Sequence, residues 1–247
     1  MSPQPSAARK KVLPVTPPTG VTFSISSHAP NAVITGMIDY GVIFAGTALV
    51  DTLLLQHALR TRGSRTVIAI AGESGSGKSV TALCLARALG AVNLPADVLH
   101  QDDYFHRPPS TNHAHRVCDL RSVGPQEVDL AQLRAHVAAF RNGTTRVDTP
   151  RVDYAGDRFV RTVRDFSQRA ILIVEGTYVL EHVHADIRIF LDATSDDTRD
   201  RRRDRNRDVD APIVEEVLAI EHPLIAAQAR LADIRIDRQF RIARPTG

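Results

Sequence analysis

The 247-residue chain is long enough for one domain with an appendage, and its 43% hydrophobic content is ordinary for a globular protein. The 31 Lys and Arg nearly balance 28 Asp and Glu, leaving a net charge of +3, so there is no electrostatic case for a nucleic-acid binder. The two cysteines, Cys84 and Cys118, form neither a metal-ligand spacing nor a disulfide framework, and they favour a reducing, cytoplasmic setting.

Residues 1–20 are proline-rich and lack the apolar run of a secretory signal; they are expected to be a disordered tail. Residues 21–62 read as an N-terminal extension, with a short strand at Val21–Ile25 and a helix near Thr47–Leu59. Leu53, Leu54, His57 and Ala58 would share a face of that helix. The stretch from Ala32 to Leu55 is apolar, but Asp39 and Asp51 interrupt it. Only Tyr40 to Val50 is uncharged, too short to cross a bilayer, so a soluble protein without a membrane partner is expected.

From residue 63 to 247, strands and helices alternate. Thr66–Ile70 is a continuous apolar run, as expected for a strand covered on both faces. Ser79–Leu89 reads as a helix stopped by Gly90, and Asp97–His100 as a second strand. Leu130, Leu133, Val137 and Phe140 recur at helical spacing. Ile171–Val174 and Ile187–Leu191 are further strands. Ile213–Leu231 reads as a helix broken or kinked at Pro223, and Ile234–Ile236 as a last strand. This alternation predicts an α/β fold, a doubly wound parallel sheet.

The segment GESGSGKS, Gly72 to Ser79, satisfies the phosphate-loop pattern in full. Its backbone N–H groups, from Gly72, Glu73, Ser74, Gly75, Ser76, Gly77, Lys78, Ser79 and Val80, are expected to cradle the phosphates of ATP. Lys78 supplies a cation for the β and γ phosphates, the Ser79 hydroxyl ligates Mg²⁺, and the helix that follows adds its positive end.

Ligands of open α/β sheets bind beyond the carboxyl ends of the strands. The second strand is followed there by Asp102 and Asp103, either of which could accept a proton from an attacking hydroxyl. Glu175 ends the apolar run at 171–174, the usual place for an acid that organises Mg²⁺. Residues 196–208 hold six Arg and five Asp with no apolar stripe. They suit a lid whose Arg202, Arg203 and Arg207 would reach the nucleotide, with Arg203 on the transferring phosphoryl group. The alternating Asp residues argue against a nucleic-acid patch. His113 and His115, like His182 and His184, have strand-like spacing and are read as surface residues. Glu221-His222, just before Pro223, has no explanation in the sequence.

GESGSGKS, then Gln101-Asp-Asp-Tyr-Phe105, then Ile171-Leu-Ile-Val-Glu-Gly176, then the Arg-rich run, together resemble the uridine kinase/phosphoribulokinase-like P-loop kinases over about Thr66 to Asp208. The resemblance implies a P-loop kinase fold with an Arg-rich lid, Asp102 as catalytic acid, Glu175 as metal-organising acid, and ATP with Mg²⁺. It places acceptor contacts among Asp102, Asp103, Tyr104, Asp153 and Arg158. The chain departs from the uridine kinase P-x-Y-D-F segment, which here is Pro150-Arg-Val152-Asp153-Tyr154, followed by Asp157-Arg158 and no His. Groups that would bond a pyrimidine nucleoside are largely missing. The expected function is transfer of a γ-phosphate to a hydroxyl of a small molecule: a nucleoside, sugar or similar metabolite. A P-loop NTPase switch for a protein partner and a nucleotide-sensing protein remain alternatives, and a homo-oligomer stays open.

Overall fold

A computed structural model describes residues 48–50, 65–194, 197–198 and 212–243. The tail, the strand at 21–25, the shared face of Leu53 to Ala58, and Arg202, Arg203 and Arg207 lie outside the described residues; of the helix near Thr47–Leu59, residues 48–50 are helical.

The core is a six-stranded sheet. Its strands are β1 (Thr66–Gly72), β2 (Ala96–His100), β5 (Ile171–Glu175), β6 (Ile187–Asp192), β7 (Ile234–Asp237) and β8 (Ile242–Ala243), in the order β2-β5-β1-β6-β7-β8. All neighbours pair in parallel except β7 with β8, so the doubly wound expectation holds with one antiparallel edge. Side chains alternate across the pleat. Ile68 and Ile70 enter one core layer with Leu85 and Leu89 of helix α1 (Lys78–Ala91). Val67 and Ala69 enter the opposite layer with Leu133, Val137 and Phe140 of α3 (Leu130–Arg141). Burial on both faces is why β1 and β5 read as unbroken apolar runs. Helix α1 continues through Gly90, which was expected to stop it.

A separate antiparallel hairpin, β3 (Arg146–Asp153) with β4 (Arg158–Asp165), was not among the predicted elements. Its strands are rich in Arg, Asp and Thr and present no apolar alternation. Polar anchors attach it to the sheet instead: Arg164 pairs with Asp97 of β2 at 2.9 Å. Helix α2 (Pro109–Cys118) carries His113 and His115, which corrects the strand-like reading of that pair. His182 ends the short helix α4 (Val179–His182), and His184 lies two residues past its end. Helix α5 (Pro212–Ala226) runs past Pro223 and tightens into a 3₁₀ turn, Ala227–Leu231, instead of breaking at the proline. No helix among the described residues is long and apolar enough to cross a membrane.

Candidate active site

The chain turns sharply between β1 and α1. Gly77 sits at φ +96°, a conformation that costs a residue with a Cβ, and a Cβ there would meet the Phe240 ring at 3.1 Å. The Glu73 carbonyl accepts both the Ser76 N–H, at 3.1 Å, and the Lys78 ammonium, at 2.9 Å. The lysine is thus held against the loop that it serves. Ser76 Oγ is fully enclosed in the loop and has no hydrogen-bond partner among the described residues. That orphaned hydroxyl lies within a loop of the phosphate-cradle pattern, and the residues present fit the nucleotide that their sequence implies.

Glu175 ends β5 directly beside the loop and is buried. Ser79 Oγ donates to Glu175 Oε1 at 2.9 Å, and His100 Nδ1 lies 2.7 Å from the same oxygen. His100 is the strand partner of Glu175 across β2 and β5. Burial raises the Glu175 carboxyl pKa, but the hydrogen bond and charge of His100, with Lys78 and Ser79, outweigh it and hold the group below its ordinary value. For His100, burial favours the neutral form, and the Glu175 hydrogen bond and charge overcome it, so the imidazole sits above its ordinary pKa. A hydroxyl and an ionised carboxylate make a hard oxygen pair suited to Mg²⁺, which takes few protein ligands beside substrate phosphates. Ser79 and Glu175 fit the metal role expected of them. His100 was missed in the sequence; the available signal was its place as the polar last residue of a strand on the ligand edge.

At the end of β2 the two acids part company. Asp102 is exposed on a 3₁₀ turn, Gln101–Tyr104, at the rim of the sheet. Asp103 is buried and accepts the Val152 N–H at 2.9 Å, anchoring the hairpin. Burial raises its pKa in spite of that bond. The turn itself is held by Gln101, whose Oε1 accepts the Tyr178 N–H at 2.8 Å. Gln101 packs so closely on Gly176 that a Cβ there would stand 2.3 Å from the Gln101 Cβ. The Glu-Gly and Gln-Asp-Asp segments of the sequence are therefore two halves of one contact.

The remaining predicted acceptor residues divide. Tyr104 is buried, with its hydroxyl 2.9 Å from His136 Nδ1. Asp153 and Arg158 pair with each other at 3.2 Å across the hairpin end. Beside them Asp157 accepts the Ser110 N–H at 2.8 Å, which holds the hairpin end to the first turn of α2. Next to Asp103, a pocket of about 300 Å³ has an apolar wall of Tyr104, Phe105, Pro150 and Phe159, with Asp129, Gln132, His106 and Arg161 around it. Asp103 and Tyr104 line this pocket; Asp102, Asp153 and Arg158 are not among its lining residues.

A family model described as "Phosphoribulokinase / Uridine kinase family" matches residues 67–236. The bifunctional alpha-galactosidase/sucrose kinase of Mediterraneibacter gnavus is 28% identical over 189 residues, 71% of this chain and 20% of that protein. A uridine kinase of Macrococcus caseolyticus is 30% identical over 136 residues, 53% of this chain and 64% of the relative. Each match thus spans less than two thirds of the relative. The solved phosphoribulokinase of Rhodobacter spheroides superposes with a TM-score of 0.54 over 70% of each chain at 16% identity, which shows a shared fold.

Proposed function

This chain belongs to the phosphoribulokinase/uridine kinase family, and we propose that it transfers the γ-phosphate of ATP to a hydroxyl of a small molecule, with a sugar as the acceptor class. The observation that carries this reading is the convergence at one sheet edge of a phosphate loop, the Ser79–Glu175 oxygen pair and the exposed Asp102.

In this reading the loop N–H groups and the N-terminus of α1 bind the β and γ phosphates, and Lys78 leaves the Glu73 carbonyl to meet the γ-phosphoryl oxygens. Ser79 and Glu175 would hold Mg²⁺, which would supply positive charge to offset that of the phosphates. His100 keeps Glu175 ionised and oriented. Asp102 accepts the proton of the attacking hydroxyl, a contribution of roughly 10²–10⁴-fold in rate. Asp102 is the exposed acid of the pair at the rim of the sheet, whereas Asp103 is buried against the hairpin backbone.

The pocket lined by Asp103 supports this acceptor class. Its aromatic and proline wall suits the C–H face of a sugar ring, and its carboxylates, amide and guanidinium suit hydroxyl groups. The likeness to a protein named as a sucrose kinase supports a sugar. Val152 stands where the uridine kinase pattern has its tyrosine, which weakens the case for a pyrimidine nucleoside.

The test is ADP release from MgATP across sugars, sugar phosphates, nucleosides, pantothenate-like alcohols and hydroxyl amino acids. Release that rises with a sugar supports the proposal in full, and release that rises only with a nucleoside corrects the acceptor. Release that is equal without acceptor points to an NTPase switch. No release with any acceptor points to a nucleotide sensor.

A further inference from the structure

The Glu221-His222 pair acquires an explanation in three dimensions. Both residues lie on α5, which follows the Arg-rich run, and they reach in different directions. Glu221 is buried; it accepts from Arg116 Nη2 at 3.1 Å and from the Tyr178 hydroxyl at 3.3 Å. Arg116, on α2, also holds both carboxylate oxygens of Glu127, each at 2.7 Å. Together with buried Val217, Leu218 and Ile225, this cluster fixes the rotation of α5 about its axis. His222, one residue on, is thereby aimed at the phosphate loop, where its Nδ1 lies 2.5 Å from Glu73 Oε1.

Glu73 is an awkward residue for a loop that must receive a polyphosphate. Its side chain is only 7% exposed, and it belongs to the residue whose carbonyl holds Lys78. A buried, uncompensated negative charge there would repel the nucleotide and offset part of what Lys78 contributes. The neighbouring loop residue is also tied: the Ser74 carbonyl accepts the Thr198 hydroxyl at 2.9 Å.

We propose that His222 is a positioning residue for nucleotide binding: by donating to Glu73 it compensates the carboxylate inside the phosphate loop and holds the loop in its receptive shape. Glu221, through Arg116, sets the helix that delivers it. The proposal rests on the kinase reading above, since it concerns the same loop.

The test needs no acceptor: calorimetric titration of the full chain with Mg²⁺ and the non-hydrolysable ATP analogue AMP-PNP. His222→Phe should weaken binding by about tenfold, the scale of one lost hydrogen bond to a charged group. His222→Asn, which keeps an N–H donor, should bind within about twofold of the original chain, on the same scale. Glu73→Gln should bind at least as tightly as the original chain, and in that background His222→Phe should change little. Equal binding by His222→Phe and the original chain would overturn the proposal. So would a Glu73→Gln/His222→Phe chain as weak as His222→Phe alone, because a purely structural role for His222 predicts that result. If His222→Phe does not fold, weakened binding by Glu73→Gln alone overturns it. An original chain that binds no nucleotide would instead remove the kinase reading, and this inference with it.

Discussion

The phosphate side and the proposed acceptor side of the site are built by different means. The phosphate side is a short, local device: one strand, one loop and one helix in immediate succession, with Glu175 arriving from the adjacent strand. The acceptor side is assembled from distant segments by single polar contacts. Asp103 meets Val152 49 residues away, Ser110 meets Asp157 47 residues away, and Arg164 meets Asp97 67 residues away. A local device tolerates little variation because each backbone N–H has a fixed task. A surface assembled through side chains can be rebuilt for another acceptor while the chemistry next to it is kept.

That contrast can be tested one residue at a time. The largest effect is expected from Lys78→Ala, which removes the only side-chain cation of the loop. Phosphoryl transfer should fall by at least about 10²–10³-fold and nucleotide affinity should drop with it. Unchanged turnover and unchanged AMP-PNP binding would remove the loop from the mechanism. Gly176→Ala strikes the joint between the two sides by forcing a Cβ against Gln101. It should cost about 1–3 kcal/mol in denaturant unfolding, the usual price of overpacking a filled site. A stability unchanged from the original chain would mean that the Gln101 contact does not hold the turn.

A smaller effect concerns pH. The His100 pKa is raised in the folded chain, so its pairing with Glu175 stabilises the fold fully below the unfolded value of 6.5. That contribution is lost as pH rises through the higher folded value. The stability difference between the original chain and His100→Asn should therefore shrink from pH 6 towards alkaline pH in chemical denaturation. A difference that grows with pH would mean that His100 is neutral in the fold.

The same contrast accounts for what the sequence revealed. The central strands, α1 and the loop were legible because burial on both faces writes continuous apolar runs and the phosphate cradle demands glycines at fixed spacing. The hairpin was not legible. Arg146–Asp153 and Arg158–Asp165 expose much of both strands, and their pairing depends on a backbone ladder and on anchors such as Arg164–Asp97 that leave no periodic trace. Asp102 and Asp103 looked equivalent as neighbours. The family resemblance singled out Asp102, and the structure separates the two by burial and by the Val152 N–H that Asp103 accepts. Glu221-His222 was visible as an oddity, but its meaning lies in Arg116 and Glu73, far off in the chain.

The most direct measurement of the account is transfer of label from γ-labelled ATP to the acceptor found in the screen, made in parallel on Asp102→Asn and Asp103→Asn. Asp102→Asn should lose transfer by roughly 10²–10⁴-fold while binding AMP-PNP as the original chain does. Asp103→Asn should retain most transfer, because the Asn side-chain oxygen still accepts the Val152 N–H. Full transfer by Asp102→Asn, with transfer abolished in a folded Asp103→Asn, would contradict the assignment of the catalytic acid.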